Sequence, residues 1–157
     1  GLAVVRAAAA AAGGQVVLGR AALGGALVRL ALPLAPPAPG LAALVVEDEA
    51  GIRRAVQAVL ERTGHHALAF EDAESAIEHL EGGGAAGLLV TDLTLPGADG
   101  AALAATARAL RPGLPVLMMS GYGAESAAGA THFLRKPFTA AELEAAISRT
   151  LSLAKSG

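Results

Sequence analysis

The stretch LLVTDLTLPGADG, residues 88–100, sets how the rest of the chain is read. Residues 88–91 are apolar or β-branched without a polar break, the pattern of a strand covered on both faces. The run stops at Asp92, and Pro96-Gly97 supplies a turn. From Asp99 the spacing becomes helical, predicting a helix over 99–110 that Arg111-Pro112-Gly113 stops. Strand, acid, turn and helix therefore follow one another within a single short segment.

The same order recurs on both sides. Residues 41–46 are an unbroken apolar run that ends in Glu47-Asp48-Glu49, and 50–62 place Ile52, Ala55, Val56, Val59 and Leu60 on one helical face. Residues 66–70 read as a second strand after Thr63-Gly64. Residues 73–81 read as a short helix with Ile77 and Leu80 inward, closed by Gly82-Gly83-Gly84. Strands are expected again at 116–119 and 132–134. Thr139, with Glu142 three residues on, forms a capping box for a last helix running to about residue 153. Five strands alternating with five helices predict an α/β fold: a doubly wound, five-stranded parallel sheet. In such folds ligands bind beyond the carboxyl ends of the strands.

Charge divides the chain. Residues 1–40 carry Arg6, Arg20 and Arg29 and no acid, whereas residues 41–157 carry all 14 acids and the other nine bases. The Pro/Ala run between them predicts a stiff linker at 35–40, separating an N-terminal fragment (1–34) from a domain at 41–153 and a tail at 154–157. The chain has no cysteine, which excludes disulfides, thiolate metal sites and cysteine nucleophiles. A net charge of −2 gives no basic footprint for nucleic acid. The longest uncharged stretch, between Arg29 and Glu47, holds four prolines that would break a spanning helix, so no membrane contact is expected. The absence of an initial Met is read as the mark of a truncated or processed chain, and the ending at Gly157 as the absence of a DNA-binding output domain.

The strand ends collect chemistry. Glu47, Asp48 and Glu49 follow the first strand, Asp92 the third, Ser120 the fourth and Lys136-Pro137 the fifth. Each alone has a plain reading: acids at a helix N-terminus, a loop acid before a turn, a serine cap. Together they make a hard oxygen site suited to Mg2+, with an ammonium and a hydroxyl aimed at an anion. That combination points to phosphoryl chemistry with an aspartate nucleophile. The chain has ten Arg but only two Lys, and the other, Lys155, is expected in a frayed tail. A lysine at position 136 thus suggests a need for a compact ammonium. His65, His66, His79 and His132 lack metal-site spacing and read as solvated or packing residues. Arg53 and Arg54 read as a solvated helix face, and Tyr122, Phe133 and Phe138 as core or edge packing.

LVVEDE (44–49), LLVTDLTLPGADG (88–100), VLMMSGYG (116–123) and FLRKPF (133–138) resemble, in order and spacing, the motifs of a two-component receiver domain. The resemblance covers 41–153 and implies a flavodoxin-like sheet of order 2-1-3-4-5. It implies Asp92 as phosphoacceptor, with Mg2+ held by Glu47, Asp48, Asp92 and the backbone carbonyl of Thr94. Ser120 matches the hydroxyl that bonds the phosphoryl group, Lys136 the lysine that pairs with it, and Phe133 the aromatic switch position, where Tyr is commoner. Residues 1–34 resemble the tail of a histidine-kinase ATP-binding domain, with a helix, a Gly-Gly turn, a hairpin and a terminal Leu-Pro. Together the two resemblances imply the end of a hybrid histidine kinase. The phosphoryl group would come from a phosphohistidine, in cis or in trans, and pass to water or to a phosphotransfer protein. The location implied is cytoplasmic. The alternative is a phosphorylation-independent interaction module of the same fold. An aspartate-based phosphatase would need a second Asp at position 94, which is Thr.

Overall fold

The computed structural model describes residues 3–5, 15–20, 24, 26–31, 40–121 and 129–156. The chain forms two compact units, Gly1–Ala38 and Pro39–Gly157. In the first, residues 3–5 are helical. Strands β1 (Gln15–Arg20) and β2 (Ala26–Ala31) pair antiparallel as a hairpin, with Gln15 opposite Ala31 and Arg20 opposite Ala26. Beyond residues 3–5, the helix implied ahead of the Gly-Gly turn lies outside the described residues, as does the linker at 35–40 apart from Gly40.

The second unit is built on five parallel strands: β3 (Ala42–Val46), β4 (His66–Phe70), β5 (Leu88–Asp92), β8 (Val116–Ser120) and β9 (His132–Arg135). They lie in the order β4-β3-β5-β8-β9, the predicted 2-1-3-4-5 arrangement. Between β5 and its helix, β6 (Thr94–Leu95) and β7 (Ala98–Asp99) form a two-residue hairpin across the Pro96-Gly97 turn. Four helices are described: α1 (Ala50–Arg62), α2 (Ala73–Glu81), α3 (Gly100–Leu110) and α4 (Ala140–Lys155). A fifth, expected between β8 and β9, would fall in 122–128, outside the described residues along with Tyr122.

The period of two in an extended chain sorts each strand's residues onto two cores. Leu44 and Val46 join Leu89, Val116 and Met118 under α2 and α3, against Ala76, Leu80, Leu103 and Ala107. Ala43 and Val45 join Leu88, Val90, Leu117 and Met119 under α1 and α4, against Val56, Leu60, Leu143 and Ile147. Both faces of the three central strands are buried, which explains their unbroken apolar runs.

Helix ends agree with local chemistry. Asp99 is not in α3 but caps it, accepting from the Ala101 N–H at 2.9 Å. Asp72 caps α2 through the Ser75 N–H at 2.7 Å. Thr63 closes α1, its hydroxyl donating to the Val59 and Leu60 carbonyls, and Gly64 turns the chain with a φ of 87°. Arg111 ties α3 to the end of α2 by donating to the Leu80 and Gly84 carbonyls. Two expectations change. Ala55 is exposed, because the contact face of α1 is narrower than its apolar stripe. The last helix continues to Lys155, so that lysine ends a helix rather than lying in a tail.

The capping box of α4 is complete: Glu142 N donates to Thr139 Oγ1 at 3.2 Å, and Thr139 N to Glu142 Oε2 at 2.7 Å. The Thr139 backbone and hydroxyl donors hold the Glu142 carboxyl below its ordinary range. Thr139→Ala should destabilise the domain by about 1 kcal/mol at neutral pH. A depressed carboxylate contributes stability above its unfolded pKa and loses it as pH falls through the folded value. The difference between wild type and variant, measured by urea unfolding, should therefore narrow in acid.

Candidate functional site

The parallel sheet delivers four strand ends to one edge. Glu47 prolongs β3 by one residue, its N–H donating to the Phe70 carbonyl at 3.2 Å. Asp92 is the last residue of β5 and lies opposite Met119. Ser120 is the last residue of β8, and its carbonyl accepts from the Lys136 N–H at 2.8 Å, just past the end of β9. β3 is flanked by β4 on one side and β5 on the other, so the chain order reverses there and a crevice opens between β3 and β5.

Lys136 closes that crevice. Its Nζ lies 2.8 Å from Glu47 Oε2 and 2.5 Å from Asp92 Oδ2. The second oxygens are also engaged: Glu47 Oε1 accepts from the Glu49 N–H at 3.2 Å, and Asp92 Oδ1 from the Thr94 N–H at 3.1 Å. The Glu47 side chain is fully buried, while those of Asp92 and Lys136 are 13% and 18% exposed. The Asp92 carboxylate therefore still reaches solvent.

Carboxylate oxygens of Glu47, Asp48 and Asp92 lie within 4.8 Å of one another. Burial pushes the Glu47 carboxyl above its ordinary range, against the pull of the Lys136 hydrogen bond and charge, with Asp92 adding to the push. Burial draws the Lys136 ammonium down, but its bonds to Asp92 and Glu47 and their charges outweigh it and leave it raised. One lysine thus offsets part of a three-acid repulsion. The donors are all hard oxygens, as a small divalent cation requires.

The other expected residues are placed as follows. Thr94 sits in β6, two residues past Asp92, and fixes it through its N–H. Asp48 is exposed at the rim and Ser120 is partly buried at its strand end. Phe133, in β9, is partly buried and packs on the α2–α3 core. His79 packs its ring on Phe70, 5.6 Å between centroids, and bonds the Ala85 carbonyl, in keeping with a packing role. A groove of about 480 Å³ beside Lys136 is lined by Glu49, Ile52, Ala55, Gly121, Pro137 and Phe138.

Two residues escaped the sequence reading. Arg53 is not a solvated face residue: its Nη1 donates to the Glu47 carbonyl at 2.6 Å and the Asp48 carbonyl at 3.0 Å. Helical spacing alone could not say that the strand-end loop folds back over it. Gly100 begins α3 so close to β5 that a Cβ there would lie 2.1 Å from the Asp92 carbonyl oxygen. Its signal was present in LPGADG, as a glycine at a helix start where a better helix former would serve.

A buried carboxylate with a raised pKa contributes stability below its unfolded pKa, and that stability is lost as pH rises through the folded value. Glu47→Gln keeps the shape and removes the charge. In chelator it should raise the melting temperature at neutral pH, and the gain should vanish as pH falls through the ordinary carboxylate range. A thermal-melt series against pH checks this.

The sequence matches the response regulator receiver domain over residues 43–148. The response regulator protein FleR of Pseudomonas aeruginosa is 38% identical over 112 residues, spanning 68% of this chain and 24% of FleR. The transcriptional regulatory protein FixJ of Bradyrhizobium diazoefficiens is 33% identical over 122 residues, spanning 71% of this chain and 59% of FixJ. The chain thus covers less than two thirds of the length of either relative. A response regulator receiver protein from Sinorhizobium medicae superposes with a TM-score of 0.67 at 31% identity, over 73% of this chain and 97% of that one. Strand order, the edge at which the acids gather and the sequence itself agree, and the chain belongs to the response regulator receiver domain family.

Proposed function

We propose that this receiver domain accepts a phosphoryl group on Asp92 from a phosphohistidine, with Mg2+ held by Glu47, Asp48, Asp92 and the backbone carbonyl of Thr94. The observation that carries the reading is the Lys136 ammonium, shared between Glu47 and Asp92 from different strand ends, with a third carboxylate within 4.8 Å. The lysine so placed offsets charge on an incoming phosphoryl group beside the partly exposed Asp92 carboxylate, and the carboxylates suit a cation that would do the same. The cation, when bound, supplies further positive charge to the phosphoryl oxygens.

The rest is done by the chain. The Thr94 N–H and Lys136 orient the Asp92 carboxylate, whose partial exposure leaves room for in-line attack. An Asp92 oxygen forms the new O–P bond as the P–N bond breaks. The electron pair returns to the imidazole. Lys136 exchanges its hold on the carboxylate for a phosphoryl oxygen, and the Ser120 hydroxyl donates to another. Water, or the histidine of a phosphotransfer protein, later cleaves the acyl phosphate. Phe133 serves as the aromatic switch. Its partial burial before phosphorylation supports a resting state biased toward the inward rotamer.

The same proposal extends to the context. Residues 1–34 are read as the C-terminal remnant of a histidine-kinase ATP-binding domain, which the β1–β2 hairpin supports. Residues 35–40 are read as the linker and 41–153 as the receiver domain, within a cytoplasmic hybrid kinase, while the start of the expected tail at 154–157 belongs to α4, which runs to Lys155. Among the described residues, no helix is long and apolar enough to cross a membrane.

With Mg2+ and a small phosphodonor, intact mass should show one added phosphoryl group, stable to acid and labile to base. Asp92→Asn should abolish it, since a carboxamide is a poor nucleophile. Undiminished labelling of that variant would place the chemistry elsewhere. Asp48→Ala should weaken Mg2+ binding and phosphorylation together, and phosphorylation that proceeds equally well in chelator would remove the metal from the scheme.

A further inference from the structure

The β3–α1 turn carries two of the three clustered acids, and within it the Glu49 N–H donates to Glu47 Oε1 at 3.2 Å. Glu49 stands at the N-cap of α1 without a side-chain capping bond, and the first turn of α1 contains no acid. The Glu47 and Asp48 carbonyls both point to one partner, the Nη1 of Arg53, at 2.6 and 3.0 Å. Nη2 of the same guanidinium lies 3.8 Å from Glu71 Oε2, just past the end of β4. The Arg53 side chain is 19% exposed, so the clamp is substantially shielded from water.

We propose that Arg53 is a positioning residue for the acid pair. Its guanidinium ties the backbone of Glu47 and Asp48 to the first turn of α1 and, through Glu71, to the neighbouring strand end. This sets the two carboxylates at the spacing a small cation needs. The inference rests on the Mg2+ reading of the site.

The mechanism is electrostatic and geometric. Two adjacent acids in a turn repel each other, and with Asp92 close by, the turn gains by opening. A carbonyl clamp resists that opening without itself occupying any carboxylate oxygen. Arginine suits this because its planar fork holds two acceptors at fixed angles and never loses its charge, whereas lysine offers a point charge. Glu71 is 74% exposed and its contact is long, so it contributes little by itself. Residues that hold ligands from outside the coordination sphere affect affinity through the orientation they impose.

The test is a titration of the full chain with Mg2+, and separately with Ca2+, followed by amide NMR shifts at Asp48 and Asp92. Thermal melts in chelator run alongside. Arg53→Ala should weaken Mg2+ binding on the order of 10-fold. It should also reduce the preference for Mg2+ over Ca2+, because a loosened turn accommodates the larger ion. Arg53→Lys should fall between the two, and Glu71→Gln should stay near wild type. A purely structural role would lower the melting temperature while leaving cation preference unchanged, and that result overturns the proposal. So does wild-type affinity in both Arg53 variants. Should the Ala variant not fold, the Lys variant decides, since wild-type affinity and preference there remove the need for a fork. If wild type binds no Mg2+, the reading of the site itself falls, and the clamp with it.

Discussion

Everything at the site depends on one repulsion. Glu47 is buried, Asp92 is nearly so, and Asp48 stands close to both. Three carboxylates so near one another repel, and a counter-charge relieves that repulsion. Lys136 provides one, from a strand end two positions across the sheet from β5. It cannot offset all of the repulsion, so the site retains a demand for further positive charge. A small divalent cation would meet that demand. A site with its charges fully matched would have no reason to bind one.

The fold exists to make that crowding rigid. A parallel sheet puts all five carboxyl ends on one edge, and the two buried faces of its central strands hold their register. The backbone bonds at the edge continue the pairing past the strands themselves: Glu47 to Phe70, Leu93 to Met119, Lys136 to Ser120. The acids are therefore positioned by main chain as well as by their side-chain bonds. Gly100 shows how tight this packing is. The helix after β5 begins against the Asp92 backbone, and a single methyl there would collide with it.

Much of this was legible beforehand, for reasons that can be traced to particular residues. A strand buried on both faces has no polar residue to spare, so 41–46, 88–91 and 116–119 stand out as unbroken apolar runs. The first polar residue after each run marks the edge. That is why Glu47, Asp92 and Ser120 could be named without coordinates. The capping box at Thr139 and Glu142 is a local bond between residues three apart, and it formed as read. The hairpin of Thr94–Leu95 with Ala98–Asp99 was seen only as a turn, since two-residue strands carry no periodicity.

The sequence alone determined which residue types meet the edge and in what order, because local periodicity and the first break in each apolar run are properties of neighbours along the chain. Tertiary structure decided what those residues do to one another. Whether Lys136 reaches Glu47 as well as Asp92 depends on strand spacing and side-chain length across the sheet. Arg53 was misread for the same reason. Its helical position places it on a face that reads as solvent-exposed, and only the fold of the β3–α1 turn brings two carbonyls over it. Ala55, apolar and on the expected face, stays exposed, lining a groove rather than the core. Contacts between residues distant in sequence are set by three-dimensional distance, and no reading of spacing along the chain contains that information.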